Sequence, residues 1–433
     1  MMSAPAPRSA YLHIPFCHRR CFYCDFAVVP LGDRVNALDG PGSRSIALYL
    51  DQILQEIRAS PPGPPLATVY IGGGTPSLLT PDQVGCLLDA LADRFGLQQG
   101  AEITLEMDPA SFSLAELTAL VRHGVNRVSL GGQSFDDTVL AALGRRHRRT
   151  DVLEACRWMH RFLQEGRLRS WSLDLIRNLP DQSDAAWSAA LTEAVALHPP
   201  HLSIYDLSIE AGTVFARREQ QGTLMLPDED GAADRIAFTT KHLFDAGYCR
   251  YEISNFSRPG HASRHNRVYW SGAGWWAFGL GATSAPWGER FARPRTREAY
   301  ALWLEQQQRE GPHASLLLDS AQPLSLEDRL LVGLRRREGV DLLQQAQCCG
   351  WTAQRCSLYL PALEQRWQEF LTQGLMVKRG HRWRLTDPLG MALSNQILVE
   401  VVQWWDLLPA DAAPPARSEA LQCPESSHPG ARG

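Results

Sequence analysis

Between residues 67 and 210 the chain alternates short apolar runs with longer amphipathic ones. That rhythm limits the fold more than any other feature. Residues 67–74 (ATVYIGGG), 102–109 (EITLEMDP), 127–134 (RVSLGGQS), 171–180 (WSLDLIRNLP) and 201–210 (HLSIYDLSIE) read as strands. Residues 79–95, 113–124, 151–166 and 183–199 carry apolar residues at helical spacing between them. The first of these helices has a full start signal: Thr80 as N-cap, Pro81 at the first helical position and Gln83 to close a capping box. With residues 11–16 (YLHIPF) there are six strands separated by helical stretches. Repeated βα units make a parallel sheet with right-handed crossovers. The expected class is therefore α/β, a partial (βα)6 TIM-like barrel, with an open doubly wound sheet as the alternative. Either places function at the carboxyl ends of the strands.

From about residue 315 the alternation stops. Residues 325–340 and 361–372 read as helices, and 374–402 as strand, turn, strand and helix. A small winged-helix-like α+β domain is expected there. The implied division is a disordered lead at 1–9, a barrel at 10–310, the second domain at 311–405 and a disordered tail at 406–433. Residues 31–45 read as a loop and 60–65 (SPPGPP) as a break. Residues 268–288 hold no charge, but five glycines and a proline make them a loop-rich, partly buried segment and not a membrane span. A net charge of −4 gives no footprint for nucleic acid. Ten cysteines in 433 residues are too sparse for a disulfide scaffold. The opening MMSAPAPRSA has no apolar targeting run. The expected compartment is the reducing cytoplasm, where clustered cysteines read as metal or redox sites.

Cys17, Cys21 and Cys24 form such a cluster, spaced C-x₃-C-x₂-C. Structural zinc closes a tetrahedron with four ligands, usually as two separated pairs. Cys348 and Cys349 are adjacent and lie in the distal region, so they do not make a second pair of that kind. Covalent c-type haem attachment needs histidine after the last cysteine, and Asp25 follows Cys24. An iron–sulfur cluster remains. Four thiolates saturate a [4Fe–4S] cluster, whereas three leave one iron open to a chelating ligand. S-adenosylmethionine (SAM) offers an amine and a carboxylate for it, and one electron passed into its sulfonium releases a 5′-deoxyadenosyl radical.

This spacing directly after a first strand resembles the radical-SAM superfamily. The stretch GGGTP (72–76) resembles the segment that approaches the methionyl group of SAM in that superfamily. YLHIPFC, IGGGTPS, LEMDP, GGQSF, YEISNF and HN-x-x-YW together resemble the oxygen-independent coproporphyrinogen III oxidase family, over about residues 10–400. The resemblance implies a [4Fe–4S] cluster on Cys17, Cys21 and Cys24. It implies SAM contacts at Tyr11, Gly73, Gly74, Thr75, Glu106, Gln133, Arg145 and Asp174. Glu106, Gln133 and Asp174 also sit at or near strand carboxyl ends, where a barrel gathers its site.

That family has two branches. One decarboxylates two propionates of coproporphyrinogen III to vinyls. The other, the HemW branch, binds haem and hands it to a haemoprotein. The first branch characteristically reads C-x₃-C-x₂-C-x-C, and here the last position is Phe26. It also carries a substantial extension before the first strand, whereas ten residues precede Tyr11. The segment HNRVYW (265–270) resembles the HN-x-x-YW motif of the second branch. The favoured reading is a haem chaperone and not an enzyme, with haem and an unidentified acceptor haemoprotein as partners. The oxidase is the alternative, and an electron carrier or sensor using the cluster alone is a remoter third. The resemblance places haem contact at His265 and Tyr269, with Trp270, Trp275 and Trp276 as flat walls. The competing reading of His265 is a hydrogen-bonded histidine in aromatic packing. His13 is expected beside the cluster. Two departures stand out: Arg177–Asn178 replace a Tyr-Gly pair, and GGQSF replaces Gly-Val-Gln. Both bear on SAM contacts and leave the thiolates alone. Peripheral membrane association and the choice of monomer or homodimer stay open.

Overall fold

The computed structural model describes residues 6–32, 41–227, 229–286, 290–310 and 324–409. The six expected strands are β1 (Ser9–Ile14), β2 (Leu66–Gly73), β3 (Leu97–Met107), β4 (Arg127–Gln133), β5 (Ser170–Arg177) and β6 (His201–Asp206). They lie side by side in chain order, all parallel. Two short strands, β7 (Cys249–Arg250) and β8 (Asn255–Ser257), extend the β6 edge antiparallel. A further strand, β9 (Trp276–Phe278), pairs parallel with the outer side of β1. The nine-stranded sheet runs from β9 to β7 without closing, so the barrel is partial.

The strands alternate strictly. One face carries Val69, Ile71, Ile103, Leu105, Val128, Leu130, Trp171, Leu173, Leu202 and Ile204 into a single apolar core. Helices cover that face: α1 (Pro41–Ala59), α2 (Pro81–Phe95), α3 (Leu114–Arg122), α4 (Arg149–Gln164) and α5 (Asp184–Ala196). The expected cap of α2 is present. The Thr80 hydroxyl accepts from the Gln83 amide at 3.2 Å, and the Gln83 carboxamide oxygen accepts from the Thr80 amide at 2.9 Å. The alternate positions carry Thr68, Tyr70, Glu102, Thr104, Glu106, Arg127, Ser129, Ser172, Asp174, His201 and Ser203. These polar groups meet inside the barrel. Ser129 and Ser172 donate to Asp174 at 2.8 and 2.6 Å, and Ser172 joins Ser203 and His201 at 3.0 and 2.9 Å. Hydrogen bonding makes a polar interior tolerable.

Several expectations need correction. Ser9 already belongs to β1, and the Arg8 carbonyl accepts from the Ala67 amide at 2.7 Å, so the lead is ordered from at least there; residues 1–5 lie outside the described ones. The expected loop at 31–45 holds the start of α1, whose Ile46, Tyr49, Leu50, Ile53 and Ile57 are buried at helical spacing. The uncharged segment is loop-rich and partly buried, as expected, but not wholly loop: it supplies the second half of α6 (Arg264–Ser271) and all of β9.

The distal region has a second core around Leu330, Trp351, Trp367, Trp383, Leu398 and Trp404. Its elements are α7 (Leu326–Gly333), β10 (Val340–Asp341), α8 (Leu342–Cys348), α9 (Ala353–Arg366), β11 (Met376–Arg379), β12 (Arg382–Leu385) and α10 (Ser394–Asp406). The wing has three strands and not two, because Val340 pairs with Trp383. That pairing also ends the helix expected over 325–340 at Gly333. Pro361 stands inside α9 and does not start it; buried Leu360 and Leu363 hold the helix together on either side. At the far end Leu408 still packs on this core, and the expected tail from 410 onward lies outside the described residues.

Candidate functional site

The loop after β1 carries the three cysteines. Its base is tied by a two-residue parallel ladder in which Phe16 and Cys17 pair with Val29 and Pro30. Its side is tied to the segment that follows Ala142. The Phe22 amide donates to the Leu143 carbonyl at 3.0 Å, and Arg19 donates to the Gly144 and Arg145 carbonyls at 2.7 and 2.8 Å.

The glycine run at the end of β2 packs against this loop from inside the sheet. The Gly74 amide donates to the Ile14 carbonyl at 2.8 Å and the Thr75 amide to the Phe16 carbonyl at 2.7 Å. Gly73 has φ +120°, a conformation that favours glycine, and a Cβ there would lie 2.8 Å from the His13 ring. A Cβ on Gly74 would lie 2.7 Å from the Phe16 oxygen and 2.8 Å from Cys17 Sγ. Both glycines are therefore demanded by close approach. His13 is locked beneath them. Its Nε2–H donates to the Ala27 carbonyl at 2.8 Å, and its Nδ1 accepts from the Tyr11 hydroxyl at 3.0 Å.

Cys17, Cys21 and Cys24 are free thiols lining one cavity of about 550 Å³. Thr75 Oγ1 donates toward Cys17 Sγ at 3.6 Å, and Arg145 Nη1 toward Cys21 Sγ at 3.5 Å. Burial pushes the Cys17 thiol up to about 12, with the Thr75 contact opposing it. Burial also pushes Cys24 up. Neutral thiols in such a pocket become ligands when a metal displaces their protons. Among the described residues no three His, Cys, Asp or Glu side chains are placed to share a single metal ion. Three thiols spread around one cavity suit a cluster, in which each takes a different iron. The residues present therefore fit a [4Fe–4S] cluster with one iron left to a chelating ligand; when bound, that group supplies one-electron chemistry.

Seven of the eight expected SAM contacts line the same cavity: Gly73, Gly74, Thr75, Glu106, Gln133, Arg145 and Asp174. Tyr11 does not. It sits one layer deeper, its ring stacked on Tyr70 at 6.1 Å between centroids. Glu106 is held by two donors, the Tyr70 hydroxyl at 2.7 Å and the Gly73 amide at 3.0 Å. Burial still pushes its carboxyl up to about 7. Burial raises Asp174 as well, against its serine donors. Gln133 reaches the cavity from a left-handed backbone (φ +62°), an arrangement uncommon away from glycine. Arg145 Nη2 donates to Asp108 at 2.6 Å. Burial pushes Asp108 up, but Arg145 and the His147 hydrogen bond override it and hold the carboxyl below the usual range.

The departures at Arg177 and Asn178 are absorbed into the wall. Arg177 makes a two-pronged contact with Asp206 at 2.5 and 2.8 Å, and Asn178 Nδ2 donates to the same carboxylate at 2.7 Å. Only Asp206 of the three lines the cavity. Sequence reasoning missed Tyr70, Asp108, Ser129 and Asp206. The pleat carried the signal for Tyr70 and Ser129, which share faces with Gly72 and Gly131.

His265 and Tyr269 are not on this cavity. His265 is fully buried. Its Nδ1 bonds Thr68 Oγ1 at 2.8 Å and its Nε2 the Tyr269 hydroxyl at 2.8 Å. Burial, with Arg127 nearby, lowers its pKa to about 3. Neither ring nitrogen is free to take an iron in this arrangement, so the hydrogen-bonded reading of His265 describes its surroundings.

A parallel-dominated α/β sheet whose first loop presents three cysteines to a glycine-rich wall defines a radical-SAM protein. Residues 11–188 match the Radical SAM superfamily. The chain is 39% identical over 403 residues to a protein of Synechocystis named heme chaperone HemW, covering 90% of this chain and 95% of that one. It is 32% identical to the heme chaperone HemW of Lactococcus lactis, over 90% of this chain and 96% of that one. The Escherichia coli HemW is 38% identical over 64% of this chain and 69% of its own length. The chain belongs to the HemW family. Its fold is also that of the E. coli coproporphyrinogen III oxidase HemN, with a TM-score of 0.71 over 92% of this chain and 90% of that one at 22% identity.

Proposed function

We propose that this protein binds haem and passes it to an acceptor haemoprotein, acting in the cytoplasm. It holds a [4Fe–4S] cluster on Cys17, Cys21 and Cys24, with SAM at the open iron. Gly73, Gly74, Thr75, Glu106, Gln133, Arg145 and Asp174 form the SAM-facing wall. The observation that carries the haem reading is the likeness to heme chaperones over nine-tenths of this chain. Phe26 supports it. It lies at the cavity, 55% exposed, where the oxidase pattern carries a fourth cysteine. None of the nine described cysteines is paired, which suits a reducing compartment. No described helix is long and apolar enough to cross a membrane. The barrel and cavity would equally serve decarboxylation of coproporphyrinogen III, so the test must separate the two. Protein reconstituted without oxygen is given SAM and a reductant. Coproporphyrinogen III is followed by chromatography, and haem is titrated in parallel by absorbance. Stoichiometric haem binding without vinyl products is expected. Vinyl products would overturn the reading.

A further inference from the structure

The HNRVYW segment is left without a role by the cavity, yet it is built into the barrel with care. Ser263 caps α6 by accepting from the Asn266 amide at 3.2 Å. The buried Glu102 carboxylate, reaching from β3, accepts from the Arg264 and His265 amides at 3.1 and 3.0 Å. The helix start is thus pinned inside the amino end of the barrel. From there a continuous stack rises toward the cavity. The Tyr269 ring meets His265 edge-on at 5.0 Å and bonds its Nε2. His265, fixed also by Thr68, stacks on the Tyr70 ring at 5.2 Å and 28°. Tyr11 stacks on Tyr70 as well. Tyr70 is therefore gripped in one orientation, and that orientation aims its hydroxyl at Glu106. Glu106 in turn holds the Gly73 amide on the cavity wall.

We propose that His265 and Tyr269 are positioning residues for the SAM site, acting through Tyr70, whose hydroxyl orients the Glu106 carboxylate for the SAM ammonium. This rests on the SAM reading above. The geometry gives each residue a defined task. Thr68 and Tyr269 fix the His265 ring plane, the ring plane fixes Tyr70, and Tyr70 fixes one oxygen of Glu106. Glu106 keeps its second lone pairs for a donor in the cavity. The charged and titratable groups that face Glu106 are Tyr11 and Tyr70 from the first two strands, Asp174 and Tyr205 from the far wall, and Tyr269 from α6. Among these the Tyr70 hydroxyl is a direct donor to it. Removing that donor removes support for the charged carboxylate, so SAM binding should need a higher pH.

The test uses the reconstituted full chain and labelled SAM in equilibrium dialysis across a pH series, with Tyr70→Phe and Tyr269→Phe. Tyr70→Phe should weaken SAM binding about tenfold at neutral pH, the effect of losing one hydrogen bond to a charged group. Its binding midpoint should move to higher pH while iron content and Tm stay at the wild-type level. Tyr269→Phe should move affinity in the same direction by less and leave the haem absorbance spectrum unchanged. Wild-type affinity and pH midpoint in Tyr70→Phe would overturn the proposal. So would loss of haem ligation in Tyr269→Phe with SAM binding intact. If the wild-type chain binds no SAM at all, it is the SAM reading of the site that fails, and the positioning role falls with it.

Discussion

Gly74→Ala tests whether the close packing of the glycine wall on the cysteine loop is what places Cys17. Gly74 has an ordinary backbone, so alanine meets no conformational penalty there. The cost comes only from contact. The new Cβ would lie 2.7 Å from the Phe16 oxygen, 2.8 Å from the Pro15 oxygen and 2.8 Å from Cys17 Sγ. Two of those atoms are backbone and cannot swing aside as a flexible side chain would. Relief therefore requires the β2 terminus and the cysteine loop to separate. That stretches the Gly74–Ile14 and Thr75–Phe16 hydrogen bonds, now 2.8 and 2.7 Å. Overpacking of this kind costs ~1–3 kcal/mol, and weakening the two bonds adds on the order of 1 kcal/mol. The chain should still fold, with Tm lowered by about 1–2 °C per kcal/mol for a chain of this length. The more specific outcome is chemical: Cys17 moves away from Thr75, and iron per chain after reconstitution falls. Iron and sulfide analysis beside a melting curve reads both. A Gly74→Ala protein with wild-type Tm and full iron would refute the idea that this contact sets the thiol.

Cys17→Ala, Cys21→Ala and Cys24→Ala should each lose the cluster, measured as iron and sulfide; a full cluster in any one would sink the assignment. Phe26→Cys should leave iron content unchanged and yield no decarboxylation, because the exposed ring contributes nothing to the core; vinyl products would make Phe26 the sole block. Asp206→Ala should strip the buried Arg177 of its two-pronged partner and lower stability by about 1–3 kcal/mol, discounted because the aspartate side is half exposed. Glu106 gives a pH test whose sign is fixed. Its folded pKa of about 7 lies above that of a free carboxyl, so stability is highest below the free value and falls as pH rises through the folded one. The loss is ~3 kcal/mol. Glu106→Gln should show a smaller stability difference between about pH 5 and about pH 8 in apo-protein melts; an unchanged difference would show that the carboxyl titrates normally.

The six parallel strands were legible because each is an apolar run bounded by glycine, proline or a helix signal. β9 was not, since Trp276–Phe278 is three residues set among glycines and gains its identity only by pairing with β1. The start of α1 was hidden by Pro41 and Gly42, which read locally as loop. The cysteines were legible through their spacing, and the glycine wall through the family resemblance of GGGTP. Glu106, Gln133 and Asp174 came from the family resemblance, and their places at or near strand ends agreed with it. Tyr70 was lost because an aromatic inside ATVYIGGG reads as core. Only the pleat shows that it shares the inner face with Gly72. His265 was left between two readings, a haem contact implied by the family resemblance and a hydrogen-bonded histidine, because nothing local reveals that Thr68, nearly two hundred residues earlier, meets its Nδ1.

Four acidic groups that line the cavity share one electrostatic tendency, Asp108 beside Arg145 being the exception. Burial raises Cys17, Cys24, Glu106 and Asp174 together, each in the direction that resists a negative charge. Nearby cations are already committed. Arg145 is shared between Asp108 and Cys21 Sγ, Arg19 is held by two backbone carbonyls and Arg20 by the Phe26 carbonyl at 2.7 Å. A pocket with several suppressed acids suits a cationic occupant, because a positive charge placed beside them would oppose all four shifts. Iron supplies such a charge at the thiols, and a sulfonium with an ammonium supplies it beside Glu106 and Asp174. The two halves of the cavity therefore ask for cations of different chemistry, one soft and sulfur-seeking, the other hydrogen-bonding. That division is what a cluster with a chelating SAM at its open iron would satisfy.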